Sequence, residues 1–142
     1  MNAAEHRRQL PGVCERVDGA ARTDDDWPMY RRDESRSGSS PVSVPAELRK
    51  AWTTKLGGRL TQPVLANGLL VVSVIDEHAV YALDAPSGEI RWRFVTGGRV
   101  DSSPTFYKGS VLFGSADGWV YCLRAKDGAL AWRYLAAPRD QQ

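Results

Sequence analysis

Three tryptophans, Trp52, Trp92 and Trp132, stand 40 residues apart in closely similar surroundings, KAWTTKLGG, IRWRFVTGG and LAWRYLAAP. The first two of these segments end in a glycine pair followed by arginine, Gly57-Gly58-Arg59 and Gly97-Gly98-Arg99. Agreement continues between the tryptophans. Pro63, Gly68 and Asp76 match Pro104, Gly109 and Asp117 at a spacing of 41, then Tyr81, Gly88 and Trp92 match Tyr121, Gly128 and Trp132 at 40. One inserted and one deleted residue near turns reconcile the two spacings. A repeat of this length built from short segments is the signature of a propeller blade or a similar stacked unit.

Within each unit the periodicity is that of strands. PVLA and PTFY are short and bounded by turns; LLVVSVI and SVLFGSA are apolar runs rich in strand-forming residues. AVYALDA and WVYCLRA read as strands half-buried on both faces. In EIRWRFV the alternation places Ile90, Trp92 and Phe94 on one face and Arg91 and Arg93 on the other, as expected of an outer strand. Asn67-Gly68, Lys108-Gly109, Asp117-Gly118, Ser87-Gly88 and Asp127-Gly128 supply the turns. A helix through 69–84 is rejected, since it would bury Asp76, Glu77 and His78 and break at each glycine turn. The fold class is therefore all-β: a partial β-propeller of one incoming outer strand (about 49–56) and about two four-stranded antiparallel blades (about 63–95 and 102–135).

The remainder divides as a flexible leader over 1–26, polar and without apolar period, a lead-in over 27–48, the incomplete propeller over 49–138 and a tail over 139–142. Trp27, Met29 and Tyr30 are the first residues able to anchor to a core, and Ser37 to Pro41 read as a loop. PAELRK at 45–50 suits either a helical turn or a lead into a strand. The formal charge of +2 is small and the basic residues are interspersed with acidic ones, which argues against a nucleic-acid surface. No run approaches the ~20 apolar residues of a membrane span, and the opening residues carry no signal peptide, so the compartment stays unknown. Two cysteines make no disulfide framework; Cys14 lies in the leader, and Cys122 is expected to be a buried thiol.

The run AVYALDAPSGEIRW resembles the tryptophan-docking repeat of the PQQ-binding-like β-propellers, shared by quinoprotein alcohol dehydrogenases and the outer-membrane assembly lipoprotein BamB. That repeat reads Ala, any residue, Asp, two residues, Thr or Ser, Gly, three residues, Trp, and Ala82, Asp84, Ser87, Gly88 and Trp92 meet it. The second copy keeps Gly128 and Trp132 but has Cys122, Arg124 and Asp127 elsewhere, a degenerate copy. WPMYRRDESRSG also resembles the lead-in that precedes the first blade of these proteins. The resemblance covers about 27–138 and implies rings of about seven or eight blades, with tryptophans docking neighbouring blades.

Two blades do not close such a ring. The expected partners are the remaining blades of a longer chain, the favoured reading, or further copies of this chain by self-association, with a protein partner possible at the loops. The resemblance also implies, in the family's enzymes, a quinone on the ring axis beside a Ca²⁺-type ion held by Glu, Asn and Asp, with a catalytic Asp and often adjacent cysteines. This sequence has no Cys-Cys pair and no such oxygen-ligand set, so no catalytic, cofactor or metal residue is assigned and no cofactor is expected. Arg59 and Arg99, which recur after the glycine pairs, and Asp76 and His78, in the turn between the second and third strands, are retained as weak ligand candidates; pairing with local acids and a solvated turn are the favoured readings. The reading for function is a non-enzymatic scaffold or protein-binding module; the alternative is part of a PQQ-dependent dehydrogenase whose catalytic residues lie outside this chain.

Overall fold

The computed structural model of the chain describes residues 8–9 and 23–137. Most of the stretch read as a leader, with Cys14, and the tail after 137 lie outside the described residues. Strand β1 is Arg8–Gln9. The first blade runs β2 (Val64–Ala66), β3 (Leu69–Val74), β4 (Ala79–Asp84) and β5 (Ile90–Val95), antiparallel and in that spatial order. The second repeats it with β6 (Thr105–Tyr107), β7 (Ser110–Gly114), β8 (Trp119–Arg124) and β9 (Leu130–Leu135), and β1 adds to the outer edge of β9. Two four-stranded antiparallel sheets in tandem, neither closed on itself, make this a partial β-propeller.

The turns follow from residue chemistry. Asn67 and Gly68 have φ of 52° and 72°, and Lys108 and Gly109 have 45° and 75°. Two successive positive φ values are what a two-residue hairpin turn matched to strand twist requires. Between β3 and β4 a single 3-10 turn, Ile75–Glu77, ends at His78 in the left-handed region. PAELRK forms no helix; residues 39–51 are exposed, with bends at 41–42 and 46–47 and neither helix nor strand.

The alternation expected for the outer strand is broken at one place. Ala82 pairs with Trp92, but Leu83 pairs with Ile90, so Arg91 is an extra residue in β5. This bulge takes Ile90 off the face shared by Trp92 and Phe94 and leaves it half exposed. The same slip occurs between Cys122 and Leu123, opposite β9.

The core is the seam between blades. Val64, Val71, Val80, Ala82 and Trp92 of the first face Phe106, Val111, Phe113, Tyr121 and Leu123 of the second, with Val100 from the link between them. Each fully buried Val or Leu here stabilises by roughly 1.5–3 kcal/mol. Phe94 meets Tyr121 edge-on at 5.7 Å, and Tyr121 stacks on Phe113 at 5.5 Å. The opposite face of the first blade is met by the extended segment 51–56, in which Trp52, Thr54 and Leu56 are half-buried and the residues between them exposed. This segment takes the place against the first blade that β5 takes against the second. Among the described residues it has no ladder partner.

Candidate functional site

The tryptophan and the glycine of the motif meet across repeats, not within one. The indole nitrogen of Trp92, on β5, donates to the carbonyl of Ala125 in the second blade at 2.7 Å. Its ring lies where a side chain on Gly128 would have to go: a Cβ there would stand 2.6 Å from Trp92 Cδ2. Trp52 treats the first blade the same way, donating to Ala85 at 2.8 Å and covering Gly88, whose carbonyl also accepts from Thr54 at 2.5 Å. Gly88 and Gly128 have φ of 74° and 71°, so glycine is needed there for backbone and for space alike. The glycine of one motif therefore receives the tryptophan of the preceding one. Trp132 is half-buried on β9, and among the described residues its indole nitrogen has no acceptor.

The degenerate positions of the second copy form the same turn with exchanged chemistry. In the first blade the carboxylate of Asp84 accepts from the Ser87 hydroxyl at 2.7 Å, and Ser87 Oγ accepts from Glu89 N–H at 3.3 Å. In the second, Arg124 Nε donates to Asp127 at 2.8 Å, and Asp127 accepts from Ala129 N–H at 3.1 Å. Donor and acceptor have changed places along the chain, and the contact survives. The Arg124 bond holds the Asp127 carboxyl down to about 2. Ala82 and Cys122, at matching places, are both fully buried.

Of the weak ligand candidates, Arg59 and Asp76 meet, and they do so as a pair that satisfies itself. Arg59 grips Asp76 with two nitrogens, at 3.2 and 2.9 Å, and that bond holds the Asp76 carboxyl below its ordinary range. Arg99 lies 3.7 Å from Asp101. Instead of offering its ring, His78 offers its backbone carbonyl, which accepts from the Thr96 N–H and hydroxyl at 2.8 and 2.9 Å. Asp117, the repeat mate of Asp76, is a hub: it accepts from Gly97 N–H at 2.9 Å, Trp119 N–H at 3.1 Å and Tyr121 Oη at 2.6 Å. Burial pushes its carboxyl up, but these bonds together carry it below the ordinary range.

Tyr81 and Tyr121, matched in the sequence as repeat positions, also carry a polar contact. Both phenols donate to a carboxylate four residues earlier at 2.6 Å, Tyr81 to Glu77 and Tyr121 to Asp117. Arg93 completes the first set, donating to Tyr81 Oη at 2.8 Å, with its guanidinium 5.4 Å from the tyrosine ring centre. The bond to Glu77, then burial, raises Tyr81; burial first, then Asp117, raises Tyr121. The signal available was the four-residue spacing of an acid and a tyrosine in both copies.

A quinone with its cation would need a gathered set of oxygen ligands. Among the described residues no three His, Cys, Asp or Glu side chains gather to hold a metal ion, and Asp76, Glu77 and Asp117 are each engaged locally. The residues present do not fit that group. No helix is long and apolar enough to cross a membrane, again among the described residues.

Comparison with known proteins gives one family. The family model described as outer membrane protein assembly factor BamB matches residues 39–142. The dehydrogenase subunit of a quinone alcohol dehydrogenase from Gluconobacter oxydans is 28% identical over 136 residues, covering 82% of this chain and 18% of that protein. BamB of Yersinia pestis is 34% identical over 73 residues, covering 51% of this chain and 19% of the relative. Among solved structures, a quinohemoprotein alcohol dehydrogenase from Pseudomonas putida HK5 superposes with a TM-score of 0.75 at 22% identity, over 84% of this chain and 20% of that one. BamB of Moraxella catarrhalis gives 0.51 at 24% identity, over 58% and 26%. At these identities the structural likeness concerns the fold. The chain spans less than a fifth of the length of the two relatives matched in sequence.

Proposed function

Because the chain belongs to the BamB family of PQQ-like propeller repeats, we propose that it is a non-enzymatic scaffold module, an arc of a larger propeller that presents its loops to a protein partner. The observation that carries this is where the polar and aromatic residues are used. Trp52 and Trp92 bond forward to the next blade, Asp76 and Asp117 tie the turns to the glycine links, and Asp84 with Ser87 and Arg124 with Asp127 shape hairpins. Chemistry would need such groups to converge around a substrate.

The same geometry favours further blades over further copies as the neighbour of Trp132. In a second copy both acceptors, at Ala85 and Ala125, are already taken by that copy's own Trp52 and Trp92. Sedimentation velocity over a concentration series tests this. An arc with an open Trp132 face gives heterogeneous association that rises with concentration and falls in Trp132→Gln. A single discrete species of three or four subunits would mean ring completion from copies and overturn the arc reading.

A second reading has one observation behind it: the quinone alcohol dehydrogenase subunit aligns along 82% of the chain, where BamB of Yersinia pestis aligns along 51%. On that reading the chain is part of a PQQ-dependent dehydrogenase with its catalytic residues in other blades. Quinone-dependent dye reduction by a chain that includes further blades would support it over the scaffold.

A further inference from the structure

The lead-in borders a cavity that none of the contacts above uses. Two backbone contacts lay it across the inner strands of both blades: Trp27 bridges Leu65 of β2, and the Phe106 N–H of β6 donates to the Pro28 carbonyl at 2.7 Å. Where it passes the start of β6, Met29, Tyr30, Arg36, Ser102, Ser103 and Thr105 line an open cavity of about 370 Å³. That volume is in the range of small-ligand sites.

The lining is rich in unused donors. Arg59, Arg91, Arg93, Arg99 and Arg124 each lie within 4.0 Å of a carboxylate oxygen. Arg36 does not; its guanidinium lies 5.5 Å from the Tyr30 ring centre and forms no ion pair among the described residues. The hydroxyls of Ser102, Ser103 and Thr105 likewise bond no described protein group. The backbone that presents Arg36 is fixed. Arg36 N–H donates to Asp33 at 2.9 Å, Gly38 N–H donates to Arg31 at 3.0 Å, and the Ser37 hydroxyl donates to the Asp33 carboxylate. Arg31, Arg32 and Arg36 all hold positive φ, of 57°, 76° and 54°. Such conformations cost energy in non-glycine residues and persist only where the surroundings impose them.

We infer that this cavity binds a small organic carboxylate, its oxygens on the Arg36 guanidinium and the hydroxyls of Ser102, Ser103 and Thr105, its hydrocarbon part against Tyr30 and Met29. A guanidinium presents paired N–H donors that match a carboxylate. Among the described residues Arg36 is the one charged lining residue, which suits a single negative charge better than a phosphate dianion. The phenol ring and thioether offer an apolar wall that phosphate would leave uncovered.

Saturation-transfer NMR on the whole 142-residue chain tests the inference with benzoate, benzamide and inorganic phosphate as probes. Benzoate shows saturable transfer, and benzamide, which has the ring without the charge, shows none. Arg36→Gln weakens benzoate by roughly tenfold or more, and Thr105→Val, which keeps the strand shape and removes one hydroxyl, by a smaller factor of about three to ten. Unchanged far-UV dichroism in both variants separates lost binding from lost fold. Equal binding of benzamide, tighter binding of phosphate, or benzoate binding unchanged by both substitutions would each overturn the assignment.

Discussion

Trp92 and Ala125 are 33 residues apart and joined by an indole hydrogen bond of 2.7 Å; Trp52 and Ala85 repeat the bond at 2.8 Å with the same separation. The seam between blades is thus fixed by a contact that neither repeat contains alone. Gly128→Ala forces a side chain into the ring of Trp92 and places a non-glycine residue at a φ of 71°. It is expected to destabilise by about 2–4 kcal/mol in urea unfolding followed by tryptophan fluorescence. Trp92→Phe keeps a ring but leaves the Ala125 carbonyl without its donor, and about 1–3 kcal/mol is expected.

Asp117 gives the fold an acid limit. Its carboxyl is held below the ordinary range, so the unfolded chain takes up a proton at a higher pH than the folded one. The stabilisation is full above the unfolded value of about 4 and is lost as pH falls through the lower folded value. Asp76 and Asp127, also lowered, act in the same direction. Urea midpoints measured between about pH 5 and pH 2 should fall in the wild type. In Asp117→Asn they should start lower and fall less steeply. An unchanged slope would remove Asp117 from this role.

Alkaline pH has the opposite sign. The raised phenols of Tyr81 and Tyr121 favour the protonated folded state, so their contribution is present below about pH 10 and lost as pH rises through the folded values. Spectrophotometric titration at the tyrosinate band should show a late step that moves to lower pH when Asp117 is replaced by Asn.

Lys108 holds a φ of 45° in a turn whose counterpart in the first blade is Asn67. Asparagine tolerates this region better than lysine. Lys108→Asn should raise stability by about 0.5 kcal/mol, after a small loss from the Lys108 contact with the Tyr107 ring. A lower urea midpoint would contradict it.

Cys122 is fully buried at the place of Ala82. In a Cys14→Ser background, Ellman's reagent should react with the native chain only at the rate of its opening, and at once in denaturant.

The blades were legible because period-2 alternation and glycine turns are local, and two copies confirm each other. The partner of each tryptophan was harder to read. Gly88 and Trp92 stand four residues apart in one motif, yet Gly88 receives Trp52 and Trp92 goes to Gly128. The bulge at Arg91 leaves no trace in the alternation EIRWRFV, since it is set by pairing with β4. Arg59 and Asp76 were visible as residues but not as a pair, being 17 positions apart with β2 and β3 between them. Arg36 carried no signal, because its position depends on three left-handed arginines that no residue preference predicts.

The forward reach of the tryptophans gives the arc a polarity in time. A chain leaving the ribosome exposes each indole 33 residues before the carbonyl that receives it, a delay of roughly 2–7 s at ordinary translation rates. A blade is therefore completed only when most of its successor has emerged. Assembly advances like a zip, with the newest tooth always unlocked.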